Sequence, residues 1–205
     1  MLSRSMNATP NTVDTIPGRD MTPTTYNPFQ KFLHWTIFLL VIGLYGLTYV
    51  AHSFPKGDPA QSFVWGMHIS FGLVLLTLVA MRVLWRLVYG APGLPADTPP
   101  LEALAAKLAH LALYALIIVI PVMGVFLVWL NGHEPSFFGL FSVPSPVVAD
   151  KALGHNIEKV HEFFANLILA LVGLHALAAL WHHYIKKDNV LTRMMPGWRA
   201  GQQPN

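Results

Sequence analysis

Histidine is the residue that carries chemistry in this chain. Ten of its 205 residues are His and none is Cys, which removes thiolate metal sites, cysteine-ligated iron-sulfur clusters, disulfides and cysteine nucleophiles. An ionisable side chain in hydrocarbon is costly and marks a functional position whose partner must be found. His161 and His175 lie fourteen residues apart in one apolar stretch. At 100° and 1.5 Å per residue they fall within about 40° of the same helix face and ~21 Å apart along it. That spacing suits two metal centres, because a single chelate needs His at i and i+4 or imidazoles converging at one depth. His34, near the start of the first apolar stretch, and His68, near the start of the second, supply partners. The resulting pairs are His34 with His175 and His68 with His161, with the inner pair left open to His110 or His182. Two neutral imidazoles facing each other among apolar helices match the axial positions of haem iron. Gly43, Gly46, Gly66, Gly72 and Gly173 offer room for the flat ring. Arg82 and Arg86, one turn apart, have two readings: propionate partners of the inner haem, or positive anchors at the membrane boundary.

The elements that must position these residues are membrane spans. Hydrophobic residues make up 54% of the chain and charged residues 11%, with a mean hydropathy of +0.47, whereas a soluble domain is about 25% charged. Four apolar stretches, roughly 29–51, 63–89, 101–130 and 160–185, are each long enough to cross ~30 Å of hydrocarbon. Pro and Gly clusters separate them at 53–59 and 90–100. The connection 131–150, with Pro135, Pro144 and Pro146 beside Phe137, Phe138 and Phe141, is read as a cap on the bundle or an interfacial segment. The fold class is therefore all-α, an integral membrane four-helix bundle over residues 28–190. Residues 1–27 read as a disordered tail and 191–205 as a C-terminal tail. Ten of the thirteen Lys and Arg fall beside the termini and the second connection, against Lys56, Lys151 and Lys159 on the other side. By the positive-inside rule both termini are cytoplasmic, and the outer loops face the periplasm if the cell is a Gram-negative bacterium. The net charge of +3 reads as this topology signal and not as a nucleic-acid footprint.

The remaining histidines divide by position. His182 and His183 stand at the cytoplasmic boundary and are either interfacial anchors or, with Arg86, a site that binds a quinone carbonyl and feeds it protons. His110 has the same two readings. His52, His133 and His155 fall in or near outer loops and read as solvated. Met194 and Met195 read as membrane-surface packing.

Several phrases of the sequence resemble one family. They are Lys31-Phe32-Leu33-His34-Trp35, Met67-His68-Ile69-Ser70, Met81-Arg82-Val83-Leu84-Trp85-Arg86, Leu108-Ala109-His110-Leu111 and Pro121-Val122-Met123-Gly124. The most specific lie at the end: His161-Glu162 with Ala165-Asn166-Leu167, Gly173-Leu174-His175-Ala176, His182-His183-Tyr184, Lys187-Asp188-Asn189 and Arg193-Met194-Met195-Pro196. Across residues 27–196 the chain resembles the bacterial cytochrome b-561 proteins, four-helix dihaem proteins of the inner membrane. The resemblance implies two haem b groups with His34, His68, His161 and His175 as axial ligands to the iron. It further implies electron transfer from a periplasmic donor to ubiquinone, and one member type oxidises superoxide. The outer segments carry Lys56, Lys151 and Lys159 against Asp58, Glu134, Asp150, Glu158 and Glu162, so that face is slightly acidic. Lys151 and Lys159 are the candidates for steering a superoxide anion. Two further readings stand beside this one: a haem-bearing membrane anchor relaying electrons for a separate soluble oxidoreductase, and a His-lined proton or metal transporter.

Overall fold

The computed structural model describes residues 25–95 and 98–197. Most of the N-terminal tail and the last eight residues lie outside that range. Four long helices dominate: α1 (Pro28–His52), α2 (Pro59–Tyr89), α3 (Pro100–Leu130) and α4 (Lys151–Trp181). Each is long and apolar enough to cross a membrane. A two-stranded antiparallel hairpin, β1 (Ser136–Phe137) and β2 (Phe141–Ser142), interrupts the connection between α3 and α4. A single π-helical turn (His182–Lys186) extends α4, and a 3₁₀ turn (Thr192–Met194) follows.

The helix starts are written locally. Pro occupies the first turn of α1, α2 and α3, where its fixed φ is helical and its missing N–H would have had no partner. Asn27 and Gln30 form a reciprocal capping box on α1, with Gln30 N donating to Asn27 Oδ1 at 2.9 Å and Asn27 N to Gln30 Oε1 at 3.1 Å. Asp58 caps α2 through Ala60 N, and Asp150 caps α4 through Ala152 N and Leu153 N. Asp150 explains why α4 starts nine residues before the apolar stretch at 160: the helix is longer than its apolar part. Gly90, at φ +66°, ends α2.

The bundle is built from two hairpins. α1 packs on α2 and α3 on α4, and α2 against α3 is the main seam between the halves. The tightest core is Ile37 and Leu44 of α1 against Leu75 and Val79 of α2. Most other apolar side chains face outward, as lipid requires. Both described termini meet at one end, termed the terminal end here. Trp35 Nε1 donates to the Met194 carbonyl at 3.0 Å, Thr25 Oγ1 to the Arg193 carbonyl, and Arg193 Nη1 to the Gly93 carbonyl at 2.6 Å. The C-terminal segment is thus docked as far as Met194, with Thr192 buried. The opposite, distal end carries the β1-β2 hairpin.

Candidate functional site

At the terminal end the helix registers bring imidazoles to one depth. His34 is six residues after Pro28, and His175 is six residues before Trp181, so each lies ~9 Å inside its helix end. Their ring centroids are 6.4 Å apart. His110 of α3 also reaches His175, at 5.4 Å between centroids. Arg82 sits close enough for its charge to act on both His34 and His175, and Arg86 on His110. Arg82 Nη1 donates to the Gln30 carbonyl at 3.2 Å. Both guanidiniums lie over Tyr114, at 5.9 and 5.7 Å from its ring centroid. Among the described residues neither arginine makes an ion pair.

The distal end repeats the arrangement with different support. His68 is nine residues after Pro59 and His161 ten after Lys151, a match in depth within one helix residue. His161 is close enough to act on His68 electrostatically. His68 Nδ1 lies 3.1 Å from the Leu44 carbonyl. A carbonyl only accepts, so Nδ1 carries the proton and Nε2 keeps its lone pair, the tautomer that a metal-ligating His needs. His161 Nδ1 is buried without a hydrogen bond; the Ile120 carbonyl lies near it but outside bonding geometry. A Cβ added at Gly124 would stand 3.3 Å from His161 Cε1. Gly124 therefore holds α3 near enough to seat that ring. His161, Ile168, His175 and His182 repeat every seven residues, so α4 presents one face to both sites.

These features fit b-type haem. The His34 and His175 rings, 6.4 Å apart between centroids, would leave room for an iron atom that each imidazole would bind at ~2.0–2.1 Å. Gly43, Gly46, Gly66, Gly72 and Gly173 have no atom within 4 Å of where a Cβ would be. Among the described residues no cluster of three His, Asp or Glu forms a site for a bare ion.

Other candidates fall elsewhere. His182 Nδ1 pairs with Asp188 Oδ2 at 2.5 Å, and Asp188 Oδ1 accepts from Val190 N. Arg86 is placed with Tyr114 and His110, and the contacts of His182 are with Asp188 and Trp181. His183 Nδ1, Trp85 Nε1 and Arg193 Nε are buried donors or acceptors without a partner among the described residues, all near the terminal end. Lys186 of the π-turn pairs with Glu102 of α3. His52 and His133 are exposed at the distal end, as is His155, which pairs with Glu158 at 3.5 Å. Lys151 and Lys159 are exposed there too.

Comparison with known proteins gives the arrangement its context. A profile of the prokaryotic cytochrome b561 family matches residues 25–197. The chain belongs to the prokaryotic cytochrome b561 family. It is 33% identical over 171 residues to cytochrome b561 homolog 1 of Escherichia coli (strain K12), an alignment covering 83% of this chain and 97% of that protein. It is likewise 33% identical over 175 residues to a probable superoxide oxidase CybB of Yersinia pestis, covering 85% and 98%. With cytochrome b562 of Cereibacter sphaeroides it shares 31% identity over 174 residues, covering 83% and 94%. It is a multi-pass bacterial membrane protein of an electron-transfer family, and membership implies b-type haem.

Within this cytochrome b561 chain, some functional partners had no signal in a one-dimensional reading. The Leu44 carbonyl is a backbone atom on a different helix from His68. Tyr114 and Asp188 acquire meaning only from what they touch. Gly124 stood in a matched phrase, yet its service to His161 needed the approach of α4 to α3.

Proposed function

We propose that this chain holds two b-type haems, one between His34 and His175 and one between His68 and His161, and passes electrons from a periplasmic donor to ubiquinone. The observation that carries the reading is the pair of depth-matched histidines at each end. Haem b bound there supplies one-electron transfer. The polypeptide does the rest. The Leu44 carbonyl fixes the His68 tautomer and aims Nε2, and Gly124 admits the His161 ring. Arg82 and Arg86, without ion pairs among the described residues and backed by Tyr114, offer guanidiniums to propionate carboxylates at the terminal end. The Lys and Arg bias supports a cytoplasmic terminal end and cytoplasmic termini in an inner membrane.

Superoxide is the donor this reading favours, supported by the name of the Yersinia pestis relative. Exposed Lys151 and Lys159 would steer the anion past Asp150, Glu158 and Glu162. Ubiquinone would meet the terminal end, where His182, when protonated on both nitrogens, would donate from Nε2 to a quinone carbonyl while the Asp188 carboxylate accepts from its Nδ1. The three unpartnered polar atoms near that end, Trp85 Nε1, His183 Nδ1 and Arg193 Nε, are consistent with a polar ligand there.

The test is a reduced-minus-oxidised spectrum of the purified protein with a pyridine haemochrome count, followed by mixing with superoxide and a ubiquinone. Two low-spin b haems per chain and quinone reduction are the expected results. A protein folded in detergent that binds no haem overturns the reading. His182→Ala should slow quinone reduction at least severalfold with both haem spectra intact; unchanged turnover removes His182 from the quinone site.

A further inference from the structure

The connection between α3 and α4 is built for hydrocarbon, and we infer that the tip of the β1-β2 hairpin is inserted in the membrane leaflet at the distal end. Its depth follows from one side chain. Ser70 of α2, 2% exposed, shares its hydroxyl proton between the Gly66 and Ser136 carbonyls at 2.9 and 3.0 Å and accepts from Phe138 N at 2.9 Å. The hairpin is thus pinned beside Ser70. The 31 residues of α2 span ~46 Å, against ~30 Å of hydrocarbon. Ser70, eleven residues from Pro59, is ~16 Å from the distal end of α2. Even if all the excess length protruded distally, Ser70 would stand at the hydrocarbon edge, and any protrusion at the other end sinks it further. The interfacial indoles agree: Trp65 lies five residues distal to Ser70 on the same helix, and Trp129 donates from Nε1 to the Val143 carbonyl at the hairpin's base.

Non-helical backbone at such a depth must find partners for its polar groups, and the N–H groups of the turn do: Phe138, Gly139 and Leu140 all donate. Ser136 pairs with Ser142 and Phe137 with Phe141. Leu140 N donates to the Phe137 carbonyl at 2.9 Å, Gly139 N to Ser136 Oγ at 3.2 Å and Val143 N to the Pro135 carbonyl at 2.9 Å. The tip itself is apolar: Leu140 is 78% exposed and Phe141 57%. Phe138 and Gly139 both have positive φ, 50° and 75°, the backbone of a turn that elsewhere favours Asn-Gly. A Phe held there is strained, because the left-handed backbone crowds its Cβ against the following carbonyl, which points to a use for its ring. That ring stands edge-on to Phe71 at 5.2 Å, which joins the tip to the exposed apolar face of α2 that lipid covers. The occupant of the exposed tip is therefore lipid, continuous with the belt around the helices.

Because the chain has no cysteine, a Leu140→Cys variant of the full protein in phospholipid nanodiscs carries a single thiol for a spin label. Lys56→Cys serves as the aqueous reference, and Leu177→Cys, on an exposed stretch of α4, as the lipid reference. The expected result is that oxygen relaxes the Leu140 label more than a water-soluble nickel chelate does, as at Leu177 and opposite to Lys56. Maleimide labelling at Leu140 should be on the order of tenfold slower than at Lys56, since the reactive thiolate is disfavoured in an apolar medium. A Leu140 label relaxed chiefly by the nickel chelate overturns the inference, and so does one shielded from both reagents, which would mean that protein covers the tip. Phe141→Cys, read in the same way, guards against a local effect at Leu140.

Discussion

At the distal end, His68 is braced by a backbone carbonyl and His161 by a glycine, and the charge acting on His161 is the carboxylate of Glu162. At the terminal end, three imidazoles share their surroundings with two guanidiniums and a tyrosine ring. The proposed ligand chemistry is the same, so the contrast lies in field and redundancy. Fixed positive charge favours whichever state of a nearby centre is more negative, so the arginines favour an electron arriving at the terminal end. The direction of transfer proposed above, from the distal face to the terminal one, runs with that field. The distal site instead depends on fit: one carbonyl, one glycine and a hairpin closing the end.

The largest effect expected is loss of a whole haem. His68→Ala or His161→Ala should cut the haemochrome count from two per chain to one, and His34→Ala or His175→Ala should do so at the other end with a different spectral component lost. If one substitution removes both, the two ends are not independent sites. Gly124→Val comes next, because even a Cβ presses on His161 and two further methyls have no room without parting α3 from α4. Distal haem occupancy should fall with the terminal haem retained, and equal loss at both ends would erase the difference in how they are held.

Smaller again is the effect of charge. Arg82→Gln with Arg86→Gln should lower the reduction potential of the terminal haem by on the order of 1 kcal/mol in electron affinity, read by redox titration, while the distal potential stays within error. An equal shift at both would show that the arginine field is not local. The smallest effect is expected for His110→Gln. If His110 is a neighbour and not a ligand, both haems remain and only the terminal band position moves; loss of the terminal haem would make His110 the partner of His175 in place of His34.

Much of this was legible in one dimension. The four spans follow from apolar length, but apolar length does not give where each helix starts: Asp58 and Asp150 cap α2 and α4, which begin four and nine residues ahead of their apolar stretches. The equivalence of His161 and His175 on one face of α4 is a consequence of helical period alone. What distance along the chain obscured was depth. Counted from flanking lysines, His34 and His175 look mismatched, yet counted from the helix ends they agree, because the π-turn and the segment up to Lys187 lie beyond α4 proper. The connection 131–150 left two readings, cap and interface. The two short strands could not be foreseen from six aromatic and small residues whose pairing depends on Ser70, sixty-six residues earlier than Ser136.

The sequence by itself determined that this is a helical membrane protein, which family it resembles and which four histidines to propose as ligands. Those properties arise from residue type, spacing and the cost of burying charge in lipid, all local to each segment. Only the tertiary structure decided which carbonyl orients His68, that Gly124 lies against His161, that His110 stands beside His175, and that Asp188 rather than Arg86 pairs with His182. Each of these is a contact between segments far apart in the chain, set by the packing of two helix hairpins against one another, for which no single segment carries the information.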